Sequence, residues 1–266
     1  MYEKFFNMTA TPFTRGIPTS SLYNDNDVNE IHERLLHIAK NQAFGILIGD
    51  SGAGKTTALR RLYDELHTPE YTVLYIADSN LTPTFFYTSL LEQLGVDTHY
   101  YKKNARRVLH HEIMAMRAMD KKKLVVIVDE GQLLNYKMLE EIRFLLNFNM
   151  DSENPLALII SGQTELWEKL KTQACRAIKD RVEVACFLTA YDYSQVKEYI
   201  NKQLLYAGRQ SPIFSEDAIK AIYEFSNGVP RKVNRVCTQA LIYAYQNRLQ
   251  IVDDRMVKLV LESEVC

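Results

Sequence analysis

Apolar residues follow two different patterns along the chain. Residues 44–48, 71–77, 124–128, 156–161 and 183–187 are short apolar runs of strand length, as expected of strands covered on both faces. The segments between them space their apolar residues helically. Val28, Ile31, Leu35 and Ile38 line one side of a helix over 27–42, with Asp27 at its capping position. Segments 56–66, 84–94, 105–119 and 137–147 read as further helices. Strands alternating with helices predict right-handed crossovers and a parallel sheet with helices on both faces.

From about Thr189 onward no strand-like run recurs. Segments 194–206, 215–226, 231–248 and 253–262 are helical, with turn signals at Gly208, at Gly228-Val229-Pro230 and at Asn247. The expected organisation is an α/β domain over 1–188 and a small all-helical domain over 189–266. The first 25 residues mix Thr, Pro, Gly, Ser and Asn with the rings of Phe5, Phe6, Phe13 and Tyr23. They read as an irregular arm of the α/β domain, pinned to the body by its rings.

Two segments carry chemistry. Gly49, Asp50, Ser51, Gly52, Ala53, Gly54, Lys55 and Thr56 give the spacing G-x-x-x-x-G-K-T, placed between a predicted strand and a predicted helix that continues with Thr57. Glycines let backbone N–H groups face a phosphate, and the positive end of the following helix adds to the attraction. Lys55 is expected to reach the β- and γ-phosphates of ATP, and Thr56 to place its hydroxyl on Mg²⁺. The second segment is the apolar run 124–128, which delivers Asp129 and Glu130 at its C-terminal end. Open α/β sheets bind ligands at that end. Asp129 is expected to hold the metal and Glu130 to polarise the attacking water.

Composition narrows the setting. With 266 residues the chain can bury a large core, and a formal net charge of −1 means that any nucleic-acid face must be local. Cys175, Cys186, Cys237 and Cys266 show no paired spacing, so a reducing compartment is expected. The opening residues lack a signal-peptide run and the apolar stretches are too short to cross a bilayer. A cytoplasmic protein with no membrane partner follows. His110-His111 has no carboxylate or cysteine at ligand spacing, and reads as an ordinary helical pair.

By these two motifs and several further stretches, the chain resembles AAA+ ATPases of the ExeA/GspA-like group, which in turn resemble transposition regulators of the TnsC and TniB type. The matching stretches are 2–6, Pro12-Phe13, Leu22-Tyr23, 49–56, 126–132, 140–147, 159–166 and Gly228-Val229-Pro230-Arg231. Gly131 stands where the family usually shows alanine. The resemblance implies that Gln163 is a polar sensor of the γ-phosphate and Arg231 a second sensor reaching the nucleotide. It also implies an arginine acting on a neighbouring subunit's nucleotide, for which Arg181 is the first candidate and Arg176 the other. The working unit would be a homo-oligomer, a ring or a helical filament.

The segment holding Lys102, Lys103, Arg106 and Arg107 beside two tyrosines is a candidate grip on DNA phosphates, or else a solvated linker. The expected function is an ATP-dependent regulator of transposition that assembles on duplex DNA and recruits a transposase, with hydrolysis driving disassembly. The alternatives are an ExeA/GspA-like ATPase energising secretion or envelope assembly through protein partners, and an origin-recognition-like initiator or loader. The sequence stops at the helical lid, which shifts the expectation from the secretion type towards the transposition helper.

Overall fold

The structure, a computed structural model, describes residues 2–78, 81–98, 104–120, 122–146 and 154–264. The chain divides into two compact units. One comprises residues 27–51 and 55–188; the other comprises residues 1–26, 52–54 and 189–266.

The first unit is built on five parallel strands, β1 (Phe44–Gly49), β2 (Tyr71–Ile76), β3 (Lys123–Val128), β4 (Ala157–Gly162) and β5 (Val184–Leu188), in the order β2-β3-β4-β1-β5. Strand periodicity sorts the buried residues between two layers. Phe44, Ile46, Ile48, Leu124, Val126, Val128, Leu158 and Ile160 enter one core, with α4 (Pro83–Gln93), α5 (Ala105–Ala115), α6 (Tyr136–Leu145), α7 (Thr164–Lys171) and the short α8 (Arg176–Lys179). Leu47, Val125, Ile127, Ala157, Ile159 and Cys186 enter the other, against α2 (Asn26–Asn41) and α3 (Lys55–Glu65). Both faces are covered, which explains why the strands read as apolar runs. Burial pushes the Cys186 thiol up to about 11, so it stays protonated at neutral pH.

Two stretches differ from the sequence reading. The stretch read as one helix over 105–119 ends as α5 and continues as a π-helical turn, Met116–Asp120. The second difference is α7 with α8, between β4 and β5, where no helix is expected from the sequence. Four- and eight-residue helices are too short for periodicity to reveal.

The second unit holds α9 (Tyr193–Tyr206), α10 (Glu216–Ser226), α11 (Pro230–Gln246) and α12 (Asp254–Glu264). Residues 1–26, the N-terminal arm, group with these helices. Its rings Tyr2, Phe6, Phe13 and Tyr23 are buried with Tyr199, Phe214 and Leu241. The Phe13 N–H donates to Gln203 Oε1 at 2.9 Å and the Thr9 N–H to the Ala207 carbonyl at 2.8 Å. Four short helices leave much apolar surface, and the arm, which includes the single turn α1 (Tyr2–Phe5), covers part of it.

Between α10 and α11 the chain turns through two left-handed residues, Asn227 (φ 48°) and Gly228 (φ 73°). A Cβ on Gly228 would lie 1.9 Å from the Tyr191 carbonyl oxygen. Gly228→Ala is therefore expected to destabilise the helical unit by about 2 kcal/mol or more, through overpacking and left-handed strain together. An unchanged melting temperature for that variant would contradict the packing described here.

Candidate nucleotide site

The loop after β1 turns through two glycines with positive φ, Gly52 (85°) and Gly54 (105°), a conformation closed to most side chains. A Cβ built on Gly54 meets nothing within 4 Å, while one on Gly52 would lie 2.7 Å from the Arg231 Cβ. Among the described residues, the N–H groups of Gly52, Ala53 and Gly54 donate to no backbone carbonyl. Buried or semi-buried donors call for acceptors, and a row of three such N–H groups at the start of α3 fits a phosphate. Arg231, in the first turn of α11, donates its own N–H to the Gly52 carbonyl at 3.3 Å.

Lys55 is buried, and its ammonium donates to the carbonyls of Gly49 (2.7 Å) and Asp50 (3.0 Å). The cation thus lies on the concave side of the loop. Thr56 Oγ1 donates to Asp129 Oδ2 at 3.4 Å, so the two expected magnesium ligands, from α3 and the end of β3, meet. The oxygen-rich pair suits a hard divalent cation.

Strand order accounts for the rest of the gathering. β4 lies between β1 and β3, so the ends of these three strands stand side by side. From the end of β3, Asp129 is buried and its Oδ1 accepts the Glu130 N–H at 2.9 Å. Glu130 is exposed and left-handed (φ 54°, ψ 35°), a strained backbone for a residue with a Cβ. Just past the end of β4, Gln163 stands at the N-cap position of α7 with no side-chain capping bond, and its N–H donates to Gln132 Oε1 at 3.1 Å. Thr164 Oγ1 donates to Asp50 Oδ1 at 2.8 Å, which joins the start of α7 to the phosphate loop.

Sequence reasoning missed two side chains. Tyr75, from β2, donates its hydroxyl to the same Asp129 Oδ2 at 3.0 Å. Burial first, and the Asp129 carboxylate second, raise its pKa well above the usual phenol value, so it remains a donor. Gln132 donates its amide to Glu130 Oε2 at 2.5 Å. No local signal marks either residue: the contact of Tyr75 depends on β2 lying beside β3, and that of Gln132 with Gln163 on β4 lying beside β3.

The remaining candidates lie away from this cluster. Arg181, just after α8, lines a groove of about 300 Å³ with Arg143, Phe144 and Ala177. Arg176 is highly exposed and pairs with Asp180 on its own turn at 3.8 Å. Arg106 pairs with Glu141 at 3.3 Å and sits over the Phe144 ring, 5.1 Å from its centroid; Arg107 is exposed. Lys102 and Lys103 lie outside the described residues. Among the described residues no helix is long and apolar enough to cross a membrane.

A phosphate loop after a buried strand, paired carboxylates on a second strand and a polar residue ending the strand between them define a P-loop ATPase. The helical unit that follows makes the class an AAA+ ATPase. The AAA domain family model matches residues 37–170, and the chain belongs to that family. The chain is 31% identical over 252 residues to the general secretion pathway protein A of Aeromonas hydrophila, covering 92% of this chain and 45% of that protein. It thus spans about half the length of that curated relative.

The fold is similar to that of Cdc6p from Pyrobaculum aerophilum (TM-score 0.70, 15% identity, 90% of this chain and 67% of that one). It is also similar to Drosophila ORC bound to DNA (TM-score 0.64, 18% identity, 100% and 65%). At these identities the likeness concerns the fold alone. The relationship to general secretion pathway protein A agrees with the ExeA/GspA-like resemblance read from the motifs.

Proposed function

We propose that the chain is an ATP-driven switch that assembles on duplex DNA, in the manner of transposition regulators, and recruits a transposase in its ATP-bound state. The observation that carries the switch is the convergence of Lys55, the Thr56–Asp129 pair, Glu130 and Gln163 at the ends of three adjacent strands. In this reading residues 49–57 cradle the triphosphate, and Lys55 neutralises the β- and γ-phosphates. Mg²⁺, held by Thr56 and Asp129, would offset the charge on the phosphate oxygens. Glu130 takes a proton from the attacking water, Gln163 reads the γ-phosphate, and Arg231 is the second sensor of the nucleotide.

Arg181 meets the nucleotide of a neighbouring copy in the same scheme. Its seat beside Arg143 in a groove supports this assignment. An arginine placed this way stabilises charge on the transferring phosphoryl group only when copies assemble, which couples hydrolysis to the oligomer.

The DNA part rests on the cations of 102–107. Replacing Lys102, Lys103, Arg106 and Arg107 together is expected to weaken duplex binding for all sequences alike, and to flatten its salt dependence by up to about four phosphate contacts. Nucleotide affinity is expected to stay the same. Unchanged DNA affinity would make the segment a solvated linker.

A second reading has its own support: 31% identity to a general secretion pathway protein favours an ATPase energising secretion or envelope assembly through protein partners. Electron microscopy of the protein with duplex DNA and a slowly hydrolysed ATP analogue separates the two. Rings or filaments enclosing DNA are expected from the first reading. No DNA in the assembly, together with an ATPase rate indifferent to DNA, would favour the second.

A further inference from the structure

We infer that Gln132 is a positioning residue that holds the Glu130 carboxylate and ties its orientation to residue 163. The inference rests on the reading of Glu130 as the base for ATP hydrolysis.

The carboxamide of Gln132 has a donor end and an acceptor end. Its oxygen faces a backbone N–H, that of Gln163, at 3.1 Å. Its nitrogen faces a carboxylate oxygen, Glu130 Oε2, at 2.5 Å. An N–H can only donate and an ionised carboxylate can only accept, so the two partners fix which way the amide points. One side chain thereby spans from Glu130, two residues past β3, to Gln163, the residue after β4.

The turn that carries Gln132, a 3₁₀ turn over Gly131–Leu133, is itself held in place. Lys169 of α7 donates its ammonium to the carbonyls of Gln132 and Leu134, both at 2.7 Å. Two glycines allow the close approach. A Cβ on Gly131 would lie 2.5 Å from Ile160 Cγ2 and 3.1 Å from the Ser161 carbonyl oxygen. A Cβ on Gly162 would lie 2.8 Å from Leu166 Cδ2, and 3.1 Å from both the N and the Oε1 of Gln132. The backbone of Gln132 is therefore pinned to α7 and β4, and its side chain has a set reach to Glu130.

A mechanical consequence follows. Glu130 is exposed and would otherwise sample several rotamers; the amide selects one and leaves the second carboxylate oxygen for the water. Because the same amide accepts from residue 163, a displacement of that residue by the γ-phosphate moves the amide, and with it the base. Gln132 touches neither nucleotide nor water in this scheme; it acts through Glu130.

The test uses the full chain with ATP and Mg²⁺ and compares Gln132→Ala, Gln163→Ala and the double variant. For Gln132→Ala, kcat is expected to fall about 10- to 100-fold, the loss of one hydrogen bond to a charged group, with KM and nucleotide affinity within about twofold. Because both residues act along one route, adding Gln163→Ala is expected to lower kcat by less than about twofold more. Gln132→Met, similar in length with no donor, should reproduce the Ala result if Ala disturbs folding. An unchanged kcat, losses that multiply in the double variant, or a fall in nucleotide affinity equal to the fall in kcat overturns the inference. Glu130→Gln is the control: if it still turns over ATP, the assignment of the base fails; if it is dead while Gln132→Ala is normal, only the present inference fails.

Discussion

Glu130→Gln is expected to lower ATP turnover by roughly 1,000-fold, within the range that positioned general bases contribute, while leaving nucleotide affinity almost unchanged. The substitution keeps size and hydrogen-bonding capacity but removes the group that accepts the proton from water. The geometry predicts little structural damage, since Glu130 is exposed and the amide can keep a partner in Gln132. Under the proposed switch, the variant also stays in its ATP state, so oligomers on duplex DNA should persist with ATP as they do with a slowly hydrolysed analogue. Turnover is checked by steady-state phosphate release and affinity by titration with a fluorescent nucleotide. A variant with normal turnover would place the base elsewhere and leave Glu130 as a strained but idle residue.

Lys55→Ala has the second large effect, on binding and not on chemistry. The ammonium is a charge-assisted donor to phosphate oxygens, and its removal is expected to cost about 3 kcal/mol, close to a 150-fold rise in the nucleotide Kd. In the structure the same group bonds the carbonyls of Gly49 and Asp50, so part of any loss could come from a loosened loop. The melting temperature without nucleotide separates the two effects: a shift of only a few degrees leaves the phosphate contact as the cause. Affinity equal to that of the natural chain would end the phosphate-loop assignment and the ATPase reading built on it.

These two residues were legible because their signals are local. The phosphate loop needs glycines at set places between a strand and a helix, and Gly52 and Gly54 have the positive φ that such a turn uses. Asp129 and Glu130 follow an unbroken apolar run, which is a strand by composition alone. The helical stretch after Thr189 was equally plain from its period. The arm was not. Its rings signalled burial, but burial has no address in a sequence, and Tyr2, Phe6, Phe13 and Tyr23 went to the helical unit.

Other residues depended on more distant relations. Gln163 came from a resemblance, since a lone glutamine at the end of a strand has no distinguishing pattern. Tyr75 and Gln132 were not found at all. The contact of Tyr75 with Asp129 requires β2 to pair with β3 in the register Tyr75 to Ile127 and Ile76 to Val128. That of Gln132 with Gln163 requires β4 beside β3. Such neighbours are separated by tens of residues, and no local spacing encodes them.

What the sequence by itself determined was each piece of machinery that one continuous segment can build: the phosphate loop, the acidic end of β3, the apolar strands and the amphipathic helices. These follow from backbone sterics and from the period of side-chain burial, both set by near neighbours. Only the tertiary structure decided that β4 lies between β1 and β3, and therefore that Lys55, Asp129, Glu130 and Gln163 share one edge. The reason is physical: strand order arises from hydrogen bonding and packing between segments far apart in the chain, and side chains from different strands meet only once that order is in place.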